Sequence, residues 1–188
     1  MLKKIVFTFG LLATLIACNN SQENKNHAKE DLSVEGLKAS IQEMDDTLML
    51  LMNEAEESSN YHIERKHYYE AINRNKDFYF NHPNDPYAET ALSKIAALYL
   101  QINIEGESIQ WRDTLLTKFP NTKDKIGLLE LQMSYYDFNE YTPEKIRYYA
   151  NQLLEIENLP EEKRKQYEFR LEHIDKTFEE LIEFQMGQ

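Results

Sequence analysis

Apolar residues recur at every third or fourth position from residue 34 to the C-terminal region of this chain. The first such run consists of Val34, Leu37, Ile41, Met44, Leu48, Leu51 and Ala55. Residues with this spacing lie on one side of an α-helix, whereas a half-buried strand alternates apolar and polar residues. No segment of the sequence alternates in that way between hairpin turns. We therefore predict an all-α protein of about seven helices.

Proline, glycine and capping residues mark where the predicted helices begin and end. Asp85-Pro86 and Thr142-Pro143 are start signals, because a capping side chain followed by proline is favourable in the first helical turn. Thr122 is a further predicted cap, and Gly106 marks the turn between the third and fourth helices. The second helix is predicted over about 61–81. Pro160, followed by two glutamates, starts the last predicted helix.

Two segments that end in proline and asparagine close successive pairs of predicted helices. They are 78–84, with the sequence FYFNHPN, and 115–121, with the sequence LLTKFPN. The proline at 120 follows the one at 83 by 37 residues, and the one at 160 follows after 40 more. Periods of this size are typical of stacked helical hairpins. We predict hairpins over 34–84, 85–121 and 122–158, with a final helix over 161–186 that caps the stack or, alternatively, forms a homodimer.

Aromatic and small residues recur at matching places in these hairpins, over about 68–121. The pattern consists of Tyr68-x-x-Ala71, Phe78 through Pro83, Tyr87-Ala88-x-x-Ala91-Leu92-x-x-Ile95-Ala96-x-x-Tyr99 and Trp111-x-x-x-Leu115-Leu116-x-x-Phe119-Pro120. It resembles tetratricopeptide (TPR) repeats, and more narrowly the bacterial envelope lipoproteins built from them, such as the tetratricopeptide subunit of the outer-membrane β-barrel assembly machine. The resemblance implies a TPR-like α-solenoid that binds other envelope proteins. The steps of 37 and 40 residues exceed the usual ~34.

The first eighteen residues, MLKKIVFTFGLLATLIAC, have the organisation of a secretory signal. Lys3 and Lys4 precede an uncharged stretch over 5–17, which is shorter than the ~20 apolar residues that span a bilayer. The stretch ends in Leu15-Ile16-Ala17-Cys18, which resembles the lipobox of bacterial lipoproteins. The resemblance implies cleavage before Cys18 and acylation of its sulfur with palmitate-type chains. An ordinary signal peptide with a chance cysteine is the alternative.

The N-terminal prediction also assigns a compartment. We expect a signal peptide over 1–17, the lipidated Cys18 with a flexible polar tether over 18–31, and a helical-repeat domain over 32–188. Two or three acyl chains anchor a protein to a membrane far more firmly than one. By resemblance to proteobacterial lipoproteins, Asn19 after the cysteine favours the outer over the inner membrane. Whether the domain faces the periplasm or the cell surface stays open.

The charge and cysteine content exclude several classes of protein. The 188 residues include 33 acidic and 21 basic ones, a formal net charge of −12, which becomes −14 if residues 1–17 are removed. A nucleic-acid-binding surface needs a basic face, so we expect no nucleic-acid partner. One cysteine cannot form an intramolecular disulfide. The hydrophobic content of 41% is too high for a disordered acidic chain.

Candidate catalytic and metal-binding residues are few. Glu64 and His67 form a Glu-x-x-His, the spacing used in di-metal helical bundles, but a second copy of the motif is missing. His62 and His67 are five residues apart, which does not match the zinc motif with two histidines on one helical face. Adjacent acidic residues are interpreted as solvated or helix-start charges. We therefore predict no catalytic residue, no cofactor and no metal, and a protein that is not an enzyme.

Tyrosine doublets are the strongest candidates for a binding surface. Adjacent helical residues cannot both face one core, so Tyr68-Tyr69, Tyr135-Tyr136 and Tyr148-Tyr149 should each leave one ring near the surface. Tyrosine is enriched in interface hot spots. On the first helices of the second and third hairpins we predict a partner-binding groove lined by Tyr87, Lys94, Tyr135 and Tyr136.

These observations lead to one main functional hypothesis and two alternatives. The main hypothesis is a lipid-anchored adaptor or scaffold of the cell envelope that binds envelope proteins, with a role in outer-membrane protein assembly implied by the resemblance. The first alternative is a ligand- or metal-binding lipoprotein, which predicts a buried polar cluster around Glu64 and His67. The second is an immunity or inhibitor lipoprotein, for which the acidic charge is suggestive.

Overall fold

A computed structural model describes residues 31–59 and 61–187, and these residues form eight α-helices and no strand. The helices are α1 (Val34–Glu57), α2 (Arg65–Asn81), α3 (Tyr87–Gln101), α4 (Glu105–Lys118), α5 (Lys125–Phe138), α6 (Pro143–Leu154), α7 (Glu161–Glu172) and α8 (Phe178–Met186). The predicted all-α class is confirmed. Among the described helices, none is long and apolar enough to cross a membrane.

Each helix from α1 to α6 packs against the next helix in the chain, as in a helical-repeat solenoid. The predicted hairpins correspond to the pairs α1–α2, α3–α4 and α5–α6. The apolar side of α1 is buried at five positions that follow the helical spacing, namely Leu37, Ile41, Met44, Leu48 and Ala55. The periodicity of the sequence therefore identified the side of α1 that faces the core.

The segments that close the hairpins also join one hairpin to the next. Phe78 is fully buried and packs with Ala88 and Ala91, whose small side chains allow α3 to come close. The ring of Tyr87 meets the ring of Phe78 edge to face at 5.0 Å between centroids. Phe119, in the second closing segment, packs on the same cluster. The repeated aromatic residues thus contribute to the interface between hairpins.

Three helix starts differ from the predicted positions by a few residues. Helix α2 begins at Arg65, four residues after the predicted start, because Glu64 has an extended backbone. Gly106 lies inside the first turn of α4, and the preceding turn contains Asn103, with φ of 58° in the left-handed region that asparagine tolerates. The cap of α5 is Asp124 and not Thr122.

The single C-terminal helix predicted over 161–186 is wrong in one respect: it consists of two helices, α7 and α8. The break lies at 173–177, where Thr177 starts α8 with a capping box. Its side chain accepts a hydrogen bond from the backbone N–H of Glu180, and the Glu180 carboxylate accepts one from the backbone N–H of Thr177. A capping side chain offers the backbone an alternative to a continuous helix, which the apolar periodicity alone does not reveal.

Candidate functional site

An open cleft of about 680 Å³ lies between α4 and α6, and we name it the α4–α6 cleft. Helix α4 contributes Asp113, Leu116 and Thr117 to the cleft, and the α6 segment contributes Thr142, Glu144, Lys145, Tyr148, Tyr149 and Gln152. Its volume falls within the range of about 300–1,000 Å³ that is typical of ligand pockets. It is therefore large enough for several side chains of a partner protein.

A hydrogen-bonded network forms the floor of this cleft. Oδ1 of Asp113 accepts hydrogen bonds from the Tyr149 hydroxyl at 2.7 Å and from Nε2 of Gln132 at 2.7 Å. Gln132 is fully buried on α5, and its Nε2 also donates to the backbone carbonyl of Ile109 at 3.1 Å. Three helices thus fix the position of one carboxylate.

The state of Tyr149 follows from this environment. Burial, together with the hydrogen bond to Asp113, raises the pKa of Tyr149 well above its ordinary value. Its hydroxyl therefore stays protonated at neutral pH and donates a hydrogen bond to the Asp113 carboxylate. The floor of the α4–α6 cleft is therefore a pre-organised acidic group beside a neutral aromatic ring.

Aromatic rings continue from the floor to the rim. Tyr148 is 57% exposed, whereas Tyr149 is 1% exposed, so the prediction that this doublet leaves one ring at the surface is confirmed. The Tyr136 ring stacks on Tyr149 with 5.9 Å between centroids. The ammonium group of Lys145 lies 5.6 Å from the centroid of Tyr136. Lys145 and Tyr136 therefore form a cation–π contact beside the cleft.

A second, smaller cleft of about 250 Å³ lies where α3, α4 and α5 meet, and we name it the α3–α5 cleft. It is lined by Leu100, Glu105, Arg112, Leu131, Ser134, Tyr135, Phe138 and Asn139. Arg112 is only 6% exposed, and its Nε donates to Oε1 of Gln132 at 2.8 Å. The same glutamine therefore contacts Arg112 beside this cleft and Asp113 in the α4–α6 cleft.

Two of the four predicted groove residues, Tyr87 and Lys94, are neighbours on α3. Lys94 forms an ion pair with Asp45 on α1, and its Nζ lies 3.3 Å from the Tyr87 hydroxyl. Burial acts to lower the pKa of Lys94, but the contacts with Asp45 and Tyr87 outweigh it and raise the pKa. These contacts connect α3 to α1.

The other two predicted groove residues, Tyr135 and Tyr136, contact each other on α5. Their rings meet edge to face at 5.1 Å, and both are partly buried. Tyr135 lines the α3–α5 cleft, whereas Tyr136 stacks towards α6. The four residues therefore form two pairs with different neighbours. That they bind a partner stays a prediction.

The residues that form the cleft floor were not identified from the sequence. Asp113, Gln132 and Tyr149 lie on three different helices, so no local motif connects them. One local signal existed for Arg112: the buried residues of α4 are Ser108, Ile109, Arg112 and Leu115, so a charged residue occupies the helical face that enters the core. Such a residue predicts a buried polar contact, although not its partner.

The remaining candidate residues are Cys18, Glu64 and His67, and the last two do not form a buried site. Cys18 lies outside the described residues. Glu64 is exposed and forms an ion pair with Lys66 at 2.7 Å, which, with smaller contributions from the nearby histidines, lowers the pKa of Glu64. The expected buried polar cluster around Glu64 and His67 is therefore wrong, because the chain around Glu64 is at the surface. Within 31–59 and 61–187, no group of three or more His, Cys, Asp or Glu residues is arranged to hold a metal ion.

Comparisons with protein-family models, with curated protein sequences and with solved structures give no match to this chain.

Proposed function

We propose that this protein is an adaptor of the cell envelope, tethered to a membrane through a lipid on Cys18, and that it binds another envelope protein through the α4–α6 cleft. The observation that carries this proposal is the cleft itself. Its fixed carboxylate, Asp113, lies beside the buried ring of Tyr149 and the exposed ring of Tyr148. Pre-organised groups of this kind bind with little loss of conformational entropy.

The chemistry of the cleft favours a basic segment of the partner. Asp113 and Glu144 contribute two negative charges against the one positive charge of Lys145, whose ammonium group lies over Tyr136, and Tyr148 offers an exposed aromatic face. Arginine and lysine side chains pair with carboxylates and lie over aromatic rings. The overall charge of −12 acts in the same direction, because it accelerates encounters with basic partners.

The membrane tether is proposed from the sequence around Cys18. A tether confines the domain to the membrane surface and raises its effective concentration near other envelope proteins. Modest affinity at the cleft is then sufficient for binding. By the resemblance to repeat-containing lipoproteins, complexes that assemble outer-membrane proteins are candidate partners.

Site-specific photocrosslinking in intact cells tests the use of the cleft. A photoreactive amino acid is placed at position 148, and separately at 87 and 135 to examine the predicted groove residues. We expect crosslinks to a discrete envelope protein from position 148, and we expect Tyr148→Ala to reduce capture of that protein. Tyr69→Ala is the matched control, because Tyr69 is an exposed tyrosine on another helix. Equal capture by Tyr148→Ala and wild type would contradict the proposal.

The proposed anchor is tested separately with Cys18→Ser. Metabolic labelling with an alkyne analogue of palmitate is expected to label the wild-type protein, and the label should be lost in the variant. Membrane fractionation should show the corresponding release from the membrane. Labelling of Cys18→Ser at the wild-type level would exclude Cys18 as the acylated residue.

A further inference from the structure

Arg112 is a buried cation without a carboxylate within ion-pair distance. It is 6% exposed, and no described acidic residue lies within 4.0 Å of its guanidinium group to form a salt bridge. For comparison, the other buried arginine, Arg170, forms a short ion pair with Asp137, in which Nη2 and Oδ1 are 2.8 Å apart. Buried charges are normally paired, so Arg112 is an exception within this molecule.

The terminal nitrogens of Arg112 have no partner in the described part of the chain, and Arg112 lines the α3–α5 cleft. Its Nε is occupied by Oε1 of Gln132, whereas Nη1 and Nη2 have no hydrogen-bond partner among the described residues. Among the described residues, Oδ1 of Asn75 is the one fully enclosed side-chain nitrogen or oxygen atom that has no hydrogen-bond partner. The Arg112 terminal nitrogens are therefore not fully enclosed, and Arg112 is one of the residues that line the α3–α5 cleft.

The neighbouring acidic groups do not neutralise this cation by direct contact. Asp113 and Glu105 are close enough to raise the pKa of Arg112, but burial outweighs them and lowers it. Asp113 accepts its hydrogen bonds from Gln132 and Tyr149. Glu105, which lines the same cleft, accepts one from Nδ2 of Asn139 at 3.0 Å. The two terminal nitrogens of Arg112, which carry four N–H groups, remain for an external acceptor.

Three large apolar side chains are exposed around the α3–α5 cleft, together with the polar residues Glu105 and Asn139. Leu100, Leu131 and Phe138 are 41%, 48% and 52% exposed, and Tyr135 lies beside them. The volume of about 250 Å³ is smaller than the pockets that usually enclose a small-molecule ligand. A buried arginine beside exposed large apolar side chains is a combination found in protein–protein hot spots, where arginine and aromatic residues are enriched.

We infer that the α3–α5 cleft binds an acidic side chain of a partner protein, with apolar residues on either side of it. The carboxylate pairs with the terminal nitrogens of Arg112, and the flanking apolar side chains cover Leu100, Leu131 and Phe138. This site is distinct from the α4–α6 cleft and favours the opposite charge, so the two clefts engage different segments. Gln132 is hydrogen-bonded to one lining residue of each cleft.

A pair of blocked tripeptides tests this inference with the full-length chain purified in detergent. The probes are acetyl-Leu-Asp-Phe-amide and its Asn analogue, which differ in the charged group alone. We expect the Asp peptide to bind with a Kd near or below about 1 mM and the Asn peptide to bind at least about tenfold more weakly. Amide resonances of Tyr135 and Asn139 should shift on titration.

Two variants separate the cleft from general effects on folding. Arg112→Gln removes the charge and should abolish the preference for Asp over Asn. Because a buried substitution can impair folding, Leu131→Glu provides an independent test at the exposed rim, where a new negative charge should weaken binding of the Asp peptide. Leu50→Glu is the matched control, since Leu50 is an exposed leucine on α1.

The outcomes are distinct from those that test the adaptor proposal, which depend on Tyr148 and Cys18. Equal binding of the two peptides would overturn the inference, as would absence of saturable binding to the wild-type protein. An equal loss of affinity in Leu131→Glu and Leu50→Glu would overturn it as well, because the effect would then be one of net charge.

Discussion

Two buried amide side chains, Gln132 and Asn75, make different contributions to the stability of the fold. Gln132 is fully buried, and both its oxygen and its nitrogen have partners on α4. Asn75 is 1% exposed, and its Nδ2 donates to the Ala71 carbonyl at 2.8 Å, but its Oδ1 has no partner among the described residues. A buried acceptor that has lost its water and gained no hydrogen bond is destabilising.

The unpaired acceptor leads to the first prediction. Asn75→Leu keeps the shape of the side chain and removes the buried polar atom, so we expect the free energy of unfolding to rise by about 1 kcal/mol. The measurement is chemical denaturation followed by circular dichroism. Asn73→Leu, at an exposed position of the same helix, controls for the difference in helix propensity. Destabilisation by Asn75→Leu alone would mean that the amide is better satisfied than its contacts indicate.

Glu130 is a second residue whose contribution follows from its contacts. Its Oε1 accepts hydrogen bonds from Nζ of Lys163 and from the Tyr167 hydroxyl, so it connects α5 to α7. Burial acts to raise the pKa of Glu130, but the hydrogen bonds from Lys163 and Tyr167 outweigh it and lower the pKa below the ordinary value of 4.5. The folded state therefore holds this carboxylate in its charged form more strongly than the unfolded state does.

The lowered pKa determines the sign of the pH dependence. Glu130 should stabilise the fold fully above pH 4.5, and this contribution should be lost as the pH falls below that value through the folded-state pKa. At neutral pH, Glu130→Gln is expected to cost roughly 1 kcal/mol, discounted for partial exposure, and the cost should shrink in acid. Urea denaturation at several pH values measures it. Glu161→Gln, an exposed residue of a surface pair, should show no such trend; an equal trend would refute the assignment.

At the scale of elements, Arg170 attaches the last two helices to the rest of the domain. Its guanidinium group donates to both carboxylate oxygens of Asp137 on α5, and the two side chains are each 7% exposed. It also donates to the backbone carbonyls of His173 and Lys176, at 2.8 and 2.9 Å. These carbonyls belong to the break between α7 and α8. The Arg170 side chain therefore stabilises this turn and also connects it to α5 through Asp137.

Removing one partner of this pair should be far more damaging than removing both. We expect Arg170→Gln to lower the free energy of unfolding by about 3–5 kcal/mol, because Asp137 would keep a buried charge without a partner. The double variant Asp137→Leu/Arg170→Met should recover part of that loss. Thermal denaturation compares the three proteins. A double variant no more stable than the single one would show that the hydrogen bonds to the turn dominate.

At the scale of the whole molecule, the core is a series of clusters along the stack. Leu37, Ile41 and Phe78 belong to a cluster at the N-terminal end, and Leu129, Tyr149, Leu153, Leu159 and Tyr167 belong to one at the C-terminal end. Leu116 of α4 packs against both the central and the C-terminal clusters. In a stack of this kind each hairpin is stabilised mainly by its neighbours.

A core substitution should therefore act locally along the stack. Leu153→Ala removes a fully buried side chain and is expected to cost about 2–5 kcal/mol. We expect native-state hydrogen exchange to accelerate in α5 to α7 and to remain slow in α1 to α3. Ile41→Ala, also fully buried, should produce the reverse distribution. Uniform acceleration in either variant would show that the domain opens as one cooperative unit.

The helices and their pairing could be predicted from the sequence, because both depend on residues close together in the chain. The buried positions of α1 follow the spacing of its apolar residues, and the start of α6 follows Thr142-Pro143. The break at Thr177 was missed although its capping box is also local, because an apolar stripe continues across it. The apolar periodicity favours a continuous helix and the capping box favours a break, so tertiary packing decides between them.

The two clefts were decided by the tertiary structure alone. Asp113 receives its hydrogen bonds from residues 19 and 36 positions away, and the two clefts arise from the way in which α4, α5 and α6 pack. Such contacts depend on where whole helices meet and leave no spacing to recognise. The apolar periodicity, together with the proline, glycine and capping residues that begin and end helices, determined the all-α hairpin stack, because helix formation is local. Which polar residues enter its core, and which rings remain outside, was determined by packing between helices.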